Sequence, residues 1–290
     1  TGMITGLAFM DYDGDQKPGL LCVGGWMPTR LWDNEGKTFK EVTQQARLDG
    51  FTGWWHCLRA VDLDGDGDMD FAAGNLGLNA RFRASEDKPV SMYVKDFDKN
   101  GSIEQILCQY NGEKSYPMVL RHDLIQQIPS LKKRFVRYDQ YKGRTIQDIF
   151  SPSELEGSLY LTAKELSSGS FINNGDGTFL FEAFPVAAQM SPVYGLAASD
   201  VDGDKRPDLL LGGNLYSVKP EVGRYDASNG LLLQNLGMDA WEALPARQSG
   251  FYESGEIRDI ENIQVNGAPA VLVSRSNGRL VLLGWGLRAN

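Results

Sequence analysis

The sequence predicts an all-β fold, a β-propeller of four-stranded blades with a helical insertion. Three observations carry that expectation. A short acidic motif recurs four times, its β-like flanks recur with it, and Asn-Gly or Asp-Gly hairpin signals stand between copies. Self-similarity of this kind marks repeat architectures.

The acidic copies are DYDGDQKPG at 11–19, DLDGDGDMD at 62–70, DFDKNGSIE at 96–104 and DVDGDKRPD at 200–208. A small residue stands five positions before the first Asp in three of them: Gly6, Cys57 and Gly195. After the motif comes a short apolar run ending in glycine or asparagine: LLCVGG, FAAGN and LLLGGN. The segments DNEGKTF at 33–39 and NNGDGTF at 173–179 carry hairpin turn chemistry beside an aromatic residue. Each unit then reads strand, acidic loop, strand, glycine turn, strand, hairpin, strand, which is the blade of a propeller. A single blade cannot bury both faces, so blades must stack.

Units begin near residues 11, 62, 96, 200 and 259, and the last keeps its strands while losing the acidic loop. Five repeats are clear, and the length is compatible with six or seven blades. The long interval before 200 accommodates an insertion and a degenerate blade ending in the hairpin at 171–181. The expectation is a single propeller domain over 1–290, with a helical insertion at 113–168. The opening residues already read as a strand, as in a piece of a longer protein.

Alternating carboxylates in a tight loop converge on one point, and hard oxygen ligands in this number suit Ca²⁺. The candidate ligands are Asp11, Asp13 and Asp15; Asp62, Asp64, Asp66, Asp68 and Asp70; Asp96, Asp98, Asn100, Ser102 and Glu104; and Asp200, Asp202, Asp204, Arg206 and Asp208. At position seven the ligand is the backbone carbonyl, from Lys17, Asp68, Ser102 or Arg206. Zinc is disfavoured because His and Cys are absent from the loops. An EF-hand needs Glu at position twelve, where this chain has Cys22, Ala73, Leu107 and Leu211. The second and fourth copies are complete. The copy at 96–104 has its glycine at position six rather than four, and the first copy has Gly19 at position nine.

Residues 6–25, 57–75 and 195–214 resemble FG-GAP/VCBS repeats, the repeat of integrin-alpha-type propellers. The resemblance implies a propeller, usually seven-bladed, with Ca²⁺ between the first two strands of a blade. It also implies an adhesion or ligand-binding role and a location outside the cytoplasm: extracellular, at the cell surface, or periplasmic and outer-membrane associated. Similar repeats occur in large bacterial surface or secreted proteins.

Strand polarity puts the acidic loops on one rim and the glycine turns on the other. The second rim gathers Trp26, Trp54, Trp55, His56, Asn75, Arg81, Arg83, Tyr194, Asn214 and Tyr216 as candidate contacts for a protein or carbohydrate ligand. In the insertion, Val119, Leu120, Leu124, Ile125 and Ile128 recur at helical spacing. Pro129 opens a second helix carrying Leu131, Phe135 and Tyr138, and Thr145 caps a third with Ile146 and Ile149. Lys132, Lys133, Arg134, Arg137, Lys142 and Arg144 make the stretch basic, a docking surface for an acidic partner or another domain of the same parent chain.

The composition is that of a globular protein, with 42% hydrophobic and 23% charged residues. A formal net charge of −9 disfavours nucleic acid as a partner. No run of 18 apolar residues spans a bilayer. Cys22, Cys57 and Cys108 each sit in an apolar run and read as free thiols. No nucleophile elbow, Walker A, dinucleotide fingerprint or HExxH motif is present, so the expectation is a binding module and not an enzyme. The alternative is a lyase-like carbohydrate-active enzyme working from the aromatic rim.

Overall fold

The computed structural model describes residues 2–220, 222–237 and 240–284. The chain is all-β in character and divides into two compact units, 1–81 with 166–290 and 82–165.

In chain order the first strands are β1 (Met3–Met10), β2 (Gly19–Pro28), β3 (Arg30–Asn34), β4 (Phe39–Glu41) and β5 (Thr52–Trp54). They form the first sheet, antiparallel in the order β1-β2-β3-β4 with β5 also on β2. Next come β6 (Cys57–Val61) and β7 (Asp70–Gly74), then β8 (Val90–Lys95), β9 (Glu104–Asn111), β10 (Lys114–Pro117) and β11 (Leu159–Ala163). β12 (Gly169–Asn173) and β13 (Phe179–Ala183) follow. β12 returns to β7, giving a second sheet ordered β6-β7-β12-β13. The third sheet is β14 (Val193–Ser199), β15 (Asp208–Gly213), β16 (Leu231–Gly237) and β17 (Ala240–Leu244). The fourth is β18 (Ile257–Val265), β19 (Ala268–Arg275) and β20 (Val281–Gly284), whose first two strands meet at a tight turn with no acidic loop.

These four sheets of the first unit stack in series. The period-two alternation of a strand sends successive side chains to opposite faces, and the buried strands use both. On β7, Phe71 and Ala73 enter the core shared with the first sheet, beside Leu21, Leu31 and Trp55. Ala72 enters the next core, with Leu196, Leu209 and Leu211. On β15, Leu210 turns the other way, toward Ile257, Ile260 and Val271 of the fourth sheet. The small residue five before the acidic loop is explained by this stacking. A Cβ on Gly195 would lie 2.9 Å from Ile260 Cγ1, because first strands of neighbouring sheets approach closely.

The second unit has its own sheet, ordered β10-β9-β8-β11. Its helices include α1 (Arg121–Gln127), a 3-10 turn at 129–133, and short helices at 146–149 and 152–155. Thr145 caps the helix at 146–149 by accepting from Asp148 N, as its position suggests. Leu124, Ile128, Leu131, Phe135, Tyr141, Ile146 and Ile149 close the core on Ile106 and Cys108 of β9. Tyr138 and Leu120, expected on the packing stripe, are exposed, and Tyr141 takes the inward place.

Two expectations about the repeats change. The hairpin at 171–181 is no separate blade, since it supplies the third and fourth strands of the sheet that the 62–70 loop begins. The loop at 96–104 belongs to the second unit, which lies wholly within the β7-to-β12 connection. A spacing of 34 residues between loop starts reads as tandem repeats, but β7 finds its partner about a hundred residues downstream.

Candidate metal-binding loops

The four acidic loops share one backbone. Positions four and six are left-handed in all of them: Gly14 and Gln16, Gly65 and Gly67, Lys99 and Gly101, Gly203 and Lys205. The loop at 96–104, which has its glycine at the other position, therefore keeps the same geometry, with Lys99 in the left-handed conformation. The position-one carboxylate accepts the position-six amide each time: Gln16 N at 2.9 Å, Gly67 N at 3.1 Å, Gly101 N at 2.9 Å and Lys205 N at 3.0 Å. Position three accepts from position five, and position five from position seven. These Asx turns hold the side chains convergent.

Carboxylate oxygens lie within 4.8 Å of one another in four groups: Asp11, Asp13 and Asp15; Asp62, Asp64 and Asp66; Asp96, Asp98 and Glu104; Asp200, Asp202 and Asp208. Donor sets made wholly of oxygen fit a hard divalent cation. Asp11 Oδ1 fits as well, a buried oxygen with no hydrogen-bond partner. Burial, the largest influence, raises Asp13 and Asp64 above the usual carboxylate range and pushes Asp70 up to about 6. A bound cation would offset that cost.

The remaining sequence candidates divide by role. Asp70 is fully buried, with Oδ2 accepting from Leu63 N and Oδ1 from Asn173 N, both at 2.7 Å. It closes its loop and stands outside the convergent trio. Asp208 makes the same two contacts, to Val201 N and Asn235 N at 2.9 Å each, and still belongs to its group. Glu104 accepts from Phe97 N at 2.8 Å. Asp204 pairs with the Arg206 guanidinium and Asp15 with Lys17, so in these two loops a side-chain cation already sits at position five. Asn100 and Ser102 are joined by a 2.7 Å bond from Ser102 N to Asn100 Oδ1. Asp68 donates its amide to Asp66 Oδ1.

Sequence reasoning missed one set of residues. Asn34 and Asn173 end their third strands and Asn235 stands two residues before the end of its own, each accepting the amide of a glycine two residues on. The Asn-x-Gly signal was visible as a hairpin, but not as a bridge. Asn173 Nδ2 donates across to Tyr12 O, and Asn235 Nδ2 to Leu63 O, both at 2.7 Å. Each acceptor is position two of the preceding sheet's acidic loop.

At or beside the opposite strand ends of the first unit lie the expected ligand residues other than Arg81 and Arg83, which stand in the connection after β7, and only some of them are accessible. Trp55 is fully buried, its Nε1 donating to Phe51 O at 3.0 Å. Asn75 and Asn214 are buried too. Asn75 Oδ1 accepts from Trp54 N and Leu76 N, and Asn214 joins Ser191, Ser228 and Gly255. These three hold the turns, and burial removes them from any exposed surface. Trp26, Trp54, His56, Tyr194 and Tyr216 are half-buried. Trp26 meets Trp54 edge-on at 5.0 Å, and Arg224 lies 5.2 Å from the Tyr216 ring. Tyr194 is stacked between His56, at 4.1 Å, and the Arg258 guanidinium, at 4.4 Å. These two residues and Tyr194 line a cleft of about 350 Å³ with Arg59, Asp259 and Glu261. Arg81 is exposed on the first unit, and Arg83 on the second.

Fold and loops define an all-β repeat protein with acidic strand-to-strand loops able to hold metal ions. The family model of the FG-GAP-like repeat matches residues 11–73, from the first acidic loop through the second, so the chain carries this repeat. No curated protein matches the chain.

Proposed function

We propose that the protein is a calcium-stabilised, integrin-like binding module of propeller type, working outside the cytoplasm and recognising a protein or glycan. The observation that carries the reading is the repetition of one loop geometry, three times at equivalent positions of stacked sheets and once more in the second unit. Ca²⁺ is the cation that suits such loops, because it accepts six to eight oxygens in flexible geometry. Its role is structural: binding only the folded loop adds its free energy to folding. Among the described residues no helix is long and apolar enough to cross a membrane.

Ligand recognition is assigned to the strand ends opposite the acidic loops, where Trp26, Trp54, Tyr194 and Tyr216 offer partly exposed aromatic surface. We assign no catalytic residue. A carbohydrate-active enzyme is the second reading, favoured by the polar cleft around His56 and Tyr194. A glycan array run beside a polysaccharide-degradation screen separates the two. Binding without turnover supports the module, product formation supports the enzyme, and neither on a broad panel directs the search to protein ligands. Calorimetric titration with Ca²⁺ after chelation tests the metal reading, and absence of binding would remove it.

A further inference from the structure

From the repeated junctions we infer that the outer face of the first sheet is a docking face for a further sheet of the same repeat type. This rests on the propeller-type stacking proposed above and not on the cation or ligand reading.

The junction between sheets has a fixed pattern. The residue after the small one on each first strand is apolar: Leu7, Leu58 and Leu196. Leu58 packs into the core shared with the first sheet, and Leu196, only 2% exposed, into the core shared with the second. Leu7, at the same repeat position, is 60% exposed. Two residues on, Ala60 and Ala198 are packed against the preceding sheet, while Phe9 is 61% exposed. The third-strand asparagine pairs across its hairpin with an aromatic residue in every case: Asn34 with Phe39, Asn173 with Phe179, Asn235 with Trp241. Phe179 and Trp241 face the preceding sheet, with Phe179 4% exposed, whereas Phe39 is 48% exposed and lies 6.5 Å from Phe9.

The polar half of the junction shows the same vacancy of partner. Asn173 and Asn235 each make two donor contacts. One goes to position eight of their own loop, Met69 O or Pro207 O, and one to position two of the preceding loop. Asn34 makes the first, to Pro18 O at 3.1 Å, and no second among the described residues. The first sheet thus presents the receiving half of a junction that the molecule builds twice elsewhere: an apolar face and one amide donor. An exposed apolar surface of this kind marks an interaction site.

The occupant follows from the pattern. It must present an apolar sheet face to Leu7, Phe9 and Phe39, and an acidic loop whose position-two carbonyl reaches Asn34. In both complete junctions the covering sheet precedes the covered one along the chain, so the geometry points to a repeat joined ahead of β1. The fourth sheet of a second copy lacks the acidic loop and does not meet the requirement.

The test fuses a donor sheet ahead of the full chain by a flexible linker. One version duplicates residues 193–245, and another joins 57–74 to 169–184, so that one donor failing to fold does not end the experiment. Hydrogen exchange of the β1 amides and binding of an anilinonaphthalene sulfonate dye are read against the unfused chain. The expected result is about tenfold slower β1 exchange with at least one donor, loss of dye binding, and reversal of both by Phe9→Lys or Asn34→Ala in the recipient sheet. Unchanged β1 exchange with both donors overturns the inference. So does an unfused chain that dimerises in a way abolished by Phe9→Lys, since a second copy would then own the face.

Discussion

The Asn235 side-chain amide donates to the Leu63 carbonyl at 2.7 Å, across the junction between the second and third sheets. Asn235 is 2% exposed, and its own amide is held by Asp208 Oδ1 at 2.9 Å. One residue therefore ties two acidic loops together, as Asn173 does between Tyr12 O and Asp70 Oδ1. Replacing Asn235 by Ala leaves buried acceptors unpaired, which costs about 1–3 kcal/mol. Asn235→Asp preserves the acceptor for Gly237 N but removes the donor, so it should not restore stability. Urea denaturation at neutral pH checks this: both variants should show lowered midpoints, and a wild-type midpoint for Asn235→Ala would deny the bridge its role.

The loops should differ in cation affinity. The loop at 62–70 has no Lys or Arg within it and carries five aspartates, while Lys17 and Arg206 already pair with position five of two others. Removing that competitor by Arg206→Gln should tighten Ca²⁺ at 200–208, and Asp62→Ala should remove the tightest site. For one site held at a hundred times its dissociation constant, the gain in folding free energy is about 2.7 kcal/mol. Chelation should therefore lower the melting temperature, and restoring Ca²⁺ should recover it. Site-resolved titration by lanthanide luminescence checks the order, and weaker binding after Arg206→Gln would contradict it.

Much of this was legible in the residues. Position-by-position carboxylates announced the loops, and helical spacing with Thr145 announced the helical segment. What stayed hidden was long-range pairing and burial. Nothing near Phe71 says that its strand partner is Phe171 rather than a residue of the 96–104 repeat. Trp55 and Trp54 are adjacent and chemically alike, yet Trp55 is fully buried in the core with its Nε1 bonded to Phe51 O, while Trp54 is half-buried against Trp26. Asn75 and Asn214 looked like recognition residues because a turn asparagine and a binding asparagine have the same side chain. Only the surrounding donors and acceptors distinguish them.

His56 gives the molecule a pH dependence with a defined sign. Burial above all, with Arg258 adding to it, lowers its pKa from 6.5 to about 4. Between those values the unfolded chain binds the proton more readily than the folded one. The stability contribution is complete above pH 6.5 and is lost as pH falls toward 4, by at most about 3 kcal/mol. His56→Gln should flatten that part of the stability profile relative to wild type. Denaturation midpoints at pH 7, 5.5 and 4.5 measure it. An unchanged difference between the two proteins across this window would show that His56 does not titrate as its surroundings require.

The second unit should be removable. Its core, Ile106 and Cys108 with Leu124 through Phe150, is drawn wholly from residues 82–165, and the three cores of the stacked sheets use none of them. The chain leaves and re-enters the first unit at nearly one point, since Gly77 N donates to Leu166 O at 2.8 Å. A short Gly-Ser linker in place of 82–165 therefore closes a small gap, and shortening a connection costs little in loop-closure entropy. The shortened protein should keep its β-sheet circular dichroism and a cooperative melt. It should lose one of the four acidic loops, so the stoichiometry of bound Ca²⁺ should fall by one while the loops at 62–70 and 200–208 bind as before. A shortened chain that cannot fold would mean that β7 and β12 need the inserted unit to find each other, and that the second sheet is built through it rather than around it.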